Sequence, residues 1–145
     1  MPSVQYVQAH DRLEAGTERR ANAYPTLDPL VGTWVNTNPD ARGIVKLVLD
    51  AQDHDLTVQA YGADDPTPYD WGQIKVDAVY PAGIRPHECM GFVANYDFDF
   101  MEAQLQGNMN LGLLIVASFN AFKDDSGRSD YFAREFFLKQ GQNVN

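Results

Sequence analysis

The sequence predicts an all-β protein: an antiparallel up-and-down β-barrel of about eight strands, with a short N-terminal arm or helix. Three observations carry that expectation. Apolar residues recur with a period of two from Thr33 onward. Turn signals such as Asn38-Pro39-Asp40 and Asp124-Asp125-Ser126-Gly127 divide the chain at intervals of roughly 8–14 residues, the spacing of sandwiches and barrels. No helical pattern of apolar residues intervenes. With 145 residues the chain fits one domain. A domain of that size buries enough surface to need no disulfide or metal staple.

The elements follow in order. Residues 1–28 form an N-terminal arm, charged at Asp11, Arg12, Glu14, Glu18, Arg19 and Arg20, and Pro25 and Pro29 separate it from the barrel domain over 29–139. Strands are expected at 33–38, 43–50, 56–62, 71–80, 90–100, 111–122 and 131–139, with the fifth running on or bulging through 101–104. Residues 51–55 make a hairpin turn, and Gly107-Asn108 reads as another. Residues 140–145 form a frayed tail.

Charge and composition narrow the function classes. A formal net charge of -9 argues against nucleic acid and against anionic membrane surfaces, since both need a basic face. Hydrophobic content of 44% argues against a disordered chain. Cys89 is the single cysteine, so no internal disulfide forms. The N-terminus has no basic start followed by an apolar run, and the longest apolar stretch is broken at Gly112, Ser118 and Asn120. A cytoplasmic protein is the expectation, with no cofactor and no metal.

The last strands are apolar on both faces. Phe132, Arg134, Phe136 and Leu138 alternate with Tyr131, Ala133, Glu135, Phe137 and Lys139. A small barrel has one inside, so the second apolar face must meet the arm, an inner ligand or another subunit, and a homodimer is one outcome. If Phe132, Phe136 and Leu138 point inward, so does Arg134. A buried guanidinium needs partners, and the Trp34 ring at the start of the first strand would supply a stacking face.

Gly32-Thr33-Trp34 opening the first strand, with Arg134 late in the last, resembles the lipocalins and their wider calycin relatives; avidin-type barrels likewise start on Gly-Thr-Trp. The resemblance spans 29–139 in outline, and Gly32, Trp34 and Arg134 are the positions that match by type. It implies that Trp34 packs over the barrel base, that Arg134 stacks across it, and that the interior holds a small apolar molecule. The chain departs from the family in two ways. Only residues 140–145 follow the last strand, too few for the helix lipocalins commonly carry there, and Arg128-Ser129-Asp130-Tyr131 is only loosely similar to their Thr-Asp-Tyr segment.

Several constellations bear on chemistry. In Asn95-Tyr96-Asp97-Phe98-Asp99-Phe100 a period of two puts Asn95, Asp97 and Asp99 on one face and the aromatics on the other. If the acids face a cavity, crowding would raise one pKa, and Asp97 and Asp99, with Tyr96, become acid/base candidates. If the aromatics fill the core, the acids face water. Tyr61, Tyr69 and Trp71, around a loop stiffened by Pro66 and Pro68, are candidate ligand-facing aromatics, together with Asn95, Phe119 and Phe132. Arg85, His87, Glu88 and Cys89 gather in one loop, but neighbours on an extended chain point apart and share an ion poorly. Three functions fit: a barrel holding a small hydrophobic metabolite; a cofactor-free cyclase or isomerase of secondary metabolism using the same cavity; or an oligomeric assembly protein with a filled core.

Overall fold

The computed structural model describes residues 26–83 and 87–141. The N-terminal arm up to Pro25, Arg85, and the tail from Gln142 lie outside the described residues. The rest is one sheet of nine strands: β1 (Gly32–Asn36), β2 (Ile44–Gln52), β3 (Asp55–Gly62), β4 (Tyr69–Lys75), β5 (Ala78–Pro81), β6 (Cys89–Asp97), β7 (Met101–Asn110), β8 (Leu113–Phe122) and β9 (Tyr131–Lys139). Their order in the sheet is β4-β3-β2-β1-β9-β8-β7-β6-β5, and each neighbouring pair is antiparallel. Among the described residues there is no helix, and so none long and apolar enough to cross a membrane.

The sheet is all-β and antiparallel, as expected, but its ladder does not close into a barrel; β4 and β5 remain as edges. The difference arises at one place. The strand expected over 71–80 is broken at Val76-Asp77, where the chain steps from one edge to the other. Val76 N–H donates to Leu56 O on β3 (2.9 Å), and Asp77 N–H to Val93 O on β6 (2.8 Å). A second difference lies at the β7–β8 hairpin. Gly107-Asn108 falls inside β7, and the turn is Leu111-Gly112. Both turn residues have positive φ, +54° and +82°, which is the backbone a two-residue hairpin demands. Leu111 is an unusual residue there, and its side chain stands out in solvent.

The inner face carries the core: Leu47 and Leu49 of β2, Leu56 and Val58 of β3, Phe92 of β6, Leu105 of β7, Leu114 of β8 and Phe137 of β9, all essentially buried. One end is plugged by the turn Leu27-Asp28-Pro29-Leu30, whose two leucines pack beneath Trp34. Trp34 is fully buried, and its indole N–H donates to Leu30 O at 2.9 Å.

The cation over Trp34 is Lys139, not Arg134. Trp34 and Lys139 are register partners across β1 and β9, and the ammonium sits 5.2 Å from the ring centroid. Arg134 stands on the opposite face of β9, exposed, with its guanidinium 5.5 Å from the Phe136 ring. The inward row of β9 is the one with Glu135 and Phe137. The more apolar row misled the sequence reading, because it faces outward here. Gly32 has its own part in this closure. A Cβ on Gly32 would lie 3.1 Å from the Lys139 stem, and its φ of +145° is one that side chains resist. The glycine lets Lys139 pass across β1 to the Trp34 face.

Replacing Trp34 with alanine removes the largest fully buried side chain and should destabilise the fold by about 3–5 kcal/mol. Urea unfolding followed by circular dichroism checks it; a loss below about 1 kcal/mol would mean that the base is not the packing centre.

Candidate functional site

Among the described residues the end of the sheet away from Trp34 is open. A cleft of about 390 Å³ lies there among Arg42, Gly43, Gly62, Tyr69, Trp71, Phe98, Phe100, Met101 and Tyr131. That volume falls in the range of small-molecule sites. Beyond it is a recess of about 30 Å³ that shares Gly43, Trp71 and Tyr131 with the cleft and adds Ser118, Asn120, Glu135 and Phe137. A recess of this size admits a water or a single head group.

Trp71 is set in place by backbone irregularity. Gln59 pairs with Gln73 and Tyr61 with Asp70, so β4 carries an extra residue opposite Ala60. Gly72, at φ +95°, absorbs this bulge. The Asp70 carboxylate accepts from the Gln59 side chain (2.9 Å) and from Gly72 N–H (2.8 Å). These bonds, the Gln59 one foremost, hold its pKa below the usual carboxylate value. Across the interior, the Trp71 ring meets Tyr96 edge-on at 5.3 Å and Phe98 at 5.5 Å. Gly62 makes room for it, since a Cβ there would lie 2.7 Å from the Trp71 indole nitrogen.

Tyr96 locks the two arms of the sheet together. Its hydroxyl accepts from Ala60 N–H on β3 (3.0 Å) and donates to Gly72 O on β4 (2.6 Å). Burial pushes its pKa up to about 12. The group is thus neutral and engaged with main chain, which suits structure better than proton transfer. Its acidic neighbours face water. Asp97 is exposed and bonded to Lys123, and Asp99 is exposed in the bend after β6. The aromatics of this stretch line the cleft and core instead, so the acid pair is not in a cavity.

The other expected ligand residues divide in the same way. Tyr69 and Trp71 border the cleft. Tyr61 lies on the outer face beneath the Lys46 ammonium, 4.3 Å from its ring centroid. Asn95 is also exposed, its amide donating to Asp77 (2.7 Å). Phe119 and Phe132 stack on one another at 5.7 Å outside, 44% and 63% exposed. Cys89 is buried, and burial pushes its thiol pKa up, away from nucleophilic use. Among the described residues no group of His, Cys, Asp and Glu could hold a metal ion.

The polar floor of the recess is what sequence reasoning missed. Ser118 and Asn120, buried on the inward face of β8, and Glu135, half-buried on that of β9, line it, and the buried Asn36 of β1 is the hydrogen-bond partner of Glu135. Asn36 is fully engaged: its Nδ2 donates to Ile44 O (2.9 Å) and to Glu135 Oε1 (2.5 Å), and its Oδ1 accepts from Asn38 N–H (2.8 Å). Asn120 is not. Its Nδ2 reaches Ser118 O and Oγ at 3.4 and 3.3 Å, and among the described residues its Oδ1 accepts nothing. The available signal was a polar residue at every second position, Ser118 and Asn120, in register with Ala133 and Tyr131.

Tyr96→Phe leaves the buried Ala60 N–H without its partner and should cost about 1–3 kcal/mol. Tyrosines of the unfolded chain ionise near about 10, whereas Tyr96 in the fold holds its proton to about 12. Its contribution is therefore complete below pH ~10 and is lost as pH rises towards 12. Urea midpoints should fall across that window in the wild type and fall less steeply in Tyr96→Phe; equal slopes would show that Tyr96 is not the protected group. Comparison of the chain with protein-family models, curated proteins and solved structures finds no match.

Proposed function

We propose that the protein is a small-molecule binding module that takes an amphiphilic ligand into the open end of its curled sheet. The observation that carries this reading is an aromatic-walled cleft leading to a recess floored by a buried, poorly satisfied Asn120. Buried polar side chains ordinarily find good partners, and one that does not beside an open cleft marks a place for a ligand group. In this reading the sheet acts as a lipocalin-like barrel, its edges joined through Tyr96 and the Val76-Asp77 step in place of a closed ladder. The apolar part of the ligand would lie against Trp71, Phe98 and Phe100. Asp97 and Asp99 stay outside the cleft, which favours binding over the cyclase or isomerase alternative.

A second reading draws on the outer face of β8 and β9. Phe119, Phe132, Phe136 and Leu138 are 38–63% exposed there, contiguous through register with Ile115 and Leu113. The three phenylalanines alone present about 300 Å² of ring surface. That is a large part of the apolar core of a standard interface of ~800 Å² per partner. In a chain of net charge -9 the outward rows of β8 and β9 carry a single formal charge, that of Arg134, so a second copy meets little repulsion on this face. We propose a homodimer through it.

Titration with Nile red should give saturable uptake, and Trp71→Ala should weaken it by about tenfold or more. No uptake, or uptake indifferent to Trp71, overturns the binding module. Sedimentation equilibrium should return about twice the 16.2 kDa chain mass, falling to one chain in Phe132→Glu; a wild-type monomer overturns the dimer.

A further inference from the structure

The recess at the base of the cleft has a one-sided charge. Glu135 Oε1 receives the Asn36 amide, and Asn36 is itself fixed by Ile44 O and by Asn38 N–H, so the carboxylate is held in one orientation. The ion pairs of the described lysines and arginines join Lys75 to Asp55, Lys123 to Asp97 and Glu102, and Arg128 to Asp124, and none of them engages Glu135. Asn120 and Ser118 of β8 line the same recess further along β9, in register with Tyr131 and Ala133; among the described residues the buried Asn120 Oδ1 accepts nothing, and Ser118 Oγ takes the Asn120 amide at 3.3 Å. Among the described residues the Glu135 carboxylate is the one charged group that lines the recess.

We propose that Glu135 makes the recess selective for the protonated amine end of an amphiphilic ligand. The inference rests on the binding reading above and specifies its polar half. An alkylammonium group brings positive charge and donors alone, which is what the Glu135 carboxylate requires. Trp71 and Tyr131 line the same recess, and aromatic rings attract a cation placed over their faces. A ligand carboxylate or phosphate would meet Glu135 as a like charge. Arg42 borders the outer cleft and is not among the residues lining the recess, so it leaves this preference in place. The net charge of -9 adds a field that draws cations towards the protein.

Calorimetric titration of the full chain with octylammonium chloride, octanol and sodium octanoate, at equal ionic strength, tests the assignment. Octylammonium should bind about tenfold or more tightly than either of the others. Glu135→Gln should bring octylammonium to within about twofold of octanol. Equal binding of amine and alcohol by the wild type overturns the proposal while leaving the binding module standing. So does an amine preference that survives Glu135→Gln. Failure of all three probes to bind overturns both. The wild-type comparison needs no variant, so a folding defect in Glu135→Gln leaves the outcome decided.

Discussion

Among the described residues no helix covers this sheet, and its inner face packs against itself and against the Leu27–Leu30 turn. That constraint shapes the rest. Nine strands in one ladder, with β1 and β9 at the centre and β4 and β5 at the edges, must curl until β6 comes over β3 and β4. The curl is secured where the two arms meet. Tyr96 supplies a hydroxyl that satisfies main-chain groups of both β3 and β4, and the Val76-Asp77 step bonds to β3 and β6 in turn. Unpaired edge groups are costly when buried and hazardous when exposed, and these bonds occupy some of them.

The two ends of the curled sheet are built differently, and the difference is chemical. At the Trp34 end, large aliphatic and aromatic side chains fill the interior, and Leu27 and Leu30 close it. At the other end the inward residues shrink and become polar: Gly62 on β3, Ser118 and Asn120 on β8, Ala133 and Glu135 on β9. Small and polar inward groups fill less volume, and they leave hydrogen-bonding capacity unspent. The cleft follows from that gradient. It is bounded by Trp71, which the β4 bulge presents and the bare backbone of Gly62 admits.

In β9 the alternation of side chains does not by itself say which row is buried. One of its rows holds three large apolar groups and an arginine, and the other a tyrosine, an alanine, a glutamate, a phenylalanine and a lysine, so the first is the more apolar. Burial goes to the second row, because pairing of β1 with β9 sets Trp34 opposite Lys139 and commits every alternate residue. One register choice thus moved Arg134, Phe132 and Phe136 outside and brought Glu135 in. The acid-rich stretch Asn95 to Phe100 had the same ambiguity. There, Tyr96 and Phe98 packed against Trp71 and left Asp97 and Asp99 in water.

By itself the sequence determined the class of fold, the position of most strands, and the burial of Trp34. These depend on local facts: a period of two, turn residues that the backbone tolerates, and a large ring beside a glycine. The strand over Tyr131–Lys139 was legible to the residue. Only the tertiary structure decided which face of β8 and β9 points inward, where the strand after Trp71 breaks, and that Asn36 reaches Glu135 at a recess that Glu135 lines together with Ser118 and Asn120. Those four residues come from β1, β8 and β9, which are remote in the chain and joined by non-local pairing. A period shared by both faces carries no information about which is inside; that is settled by the register between distant strands and by the volume the interior has left to fill.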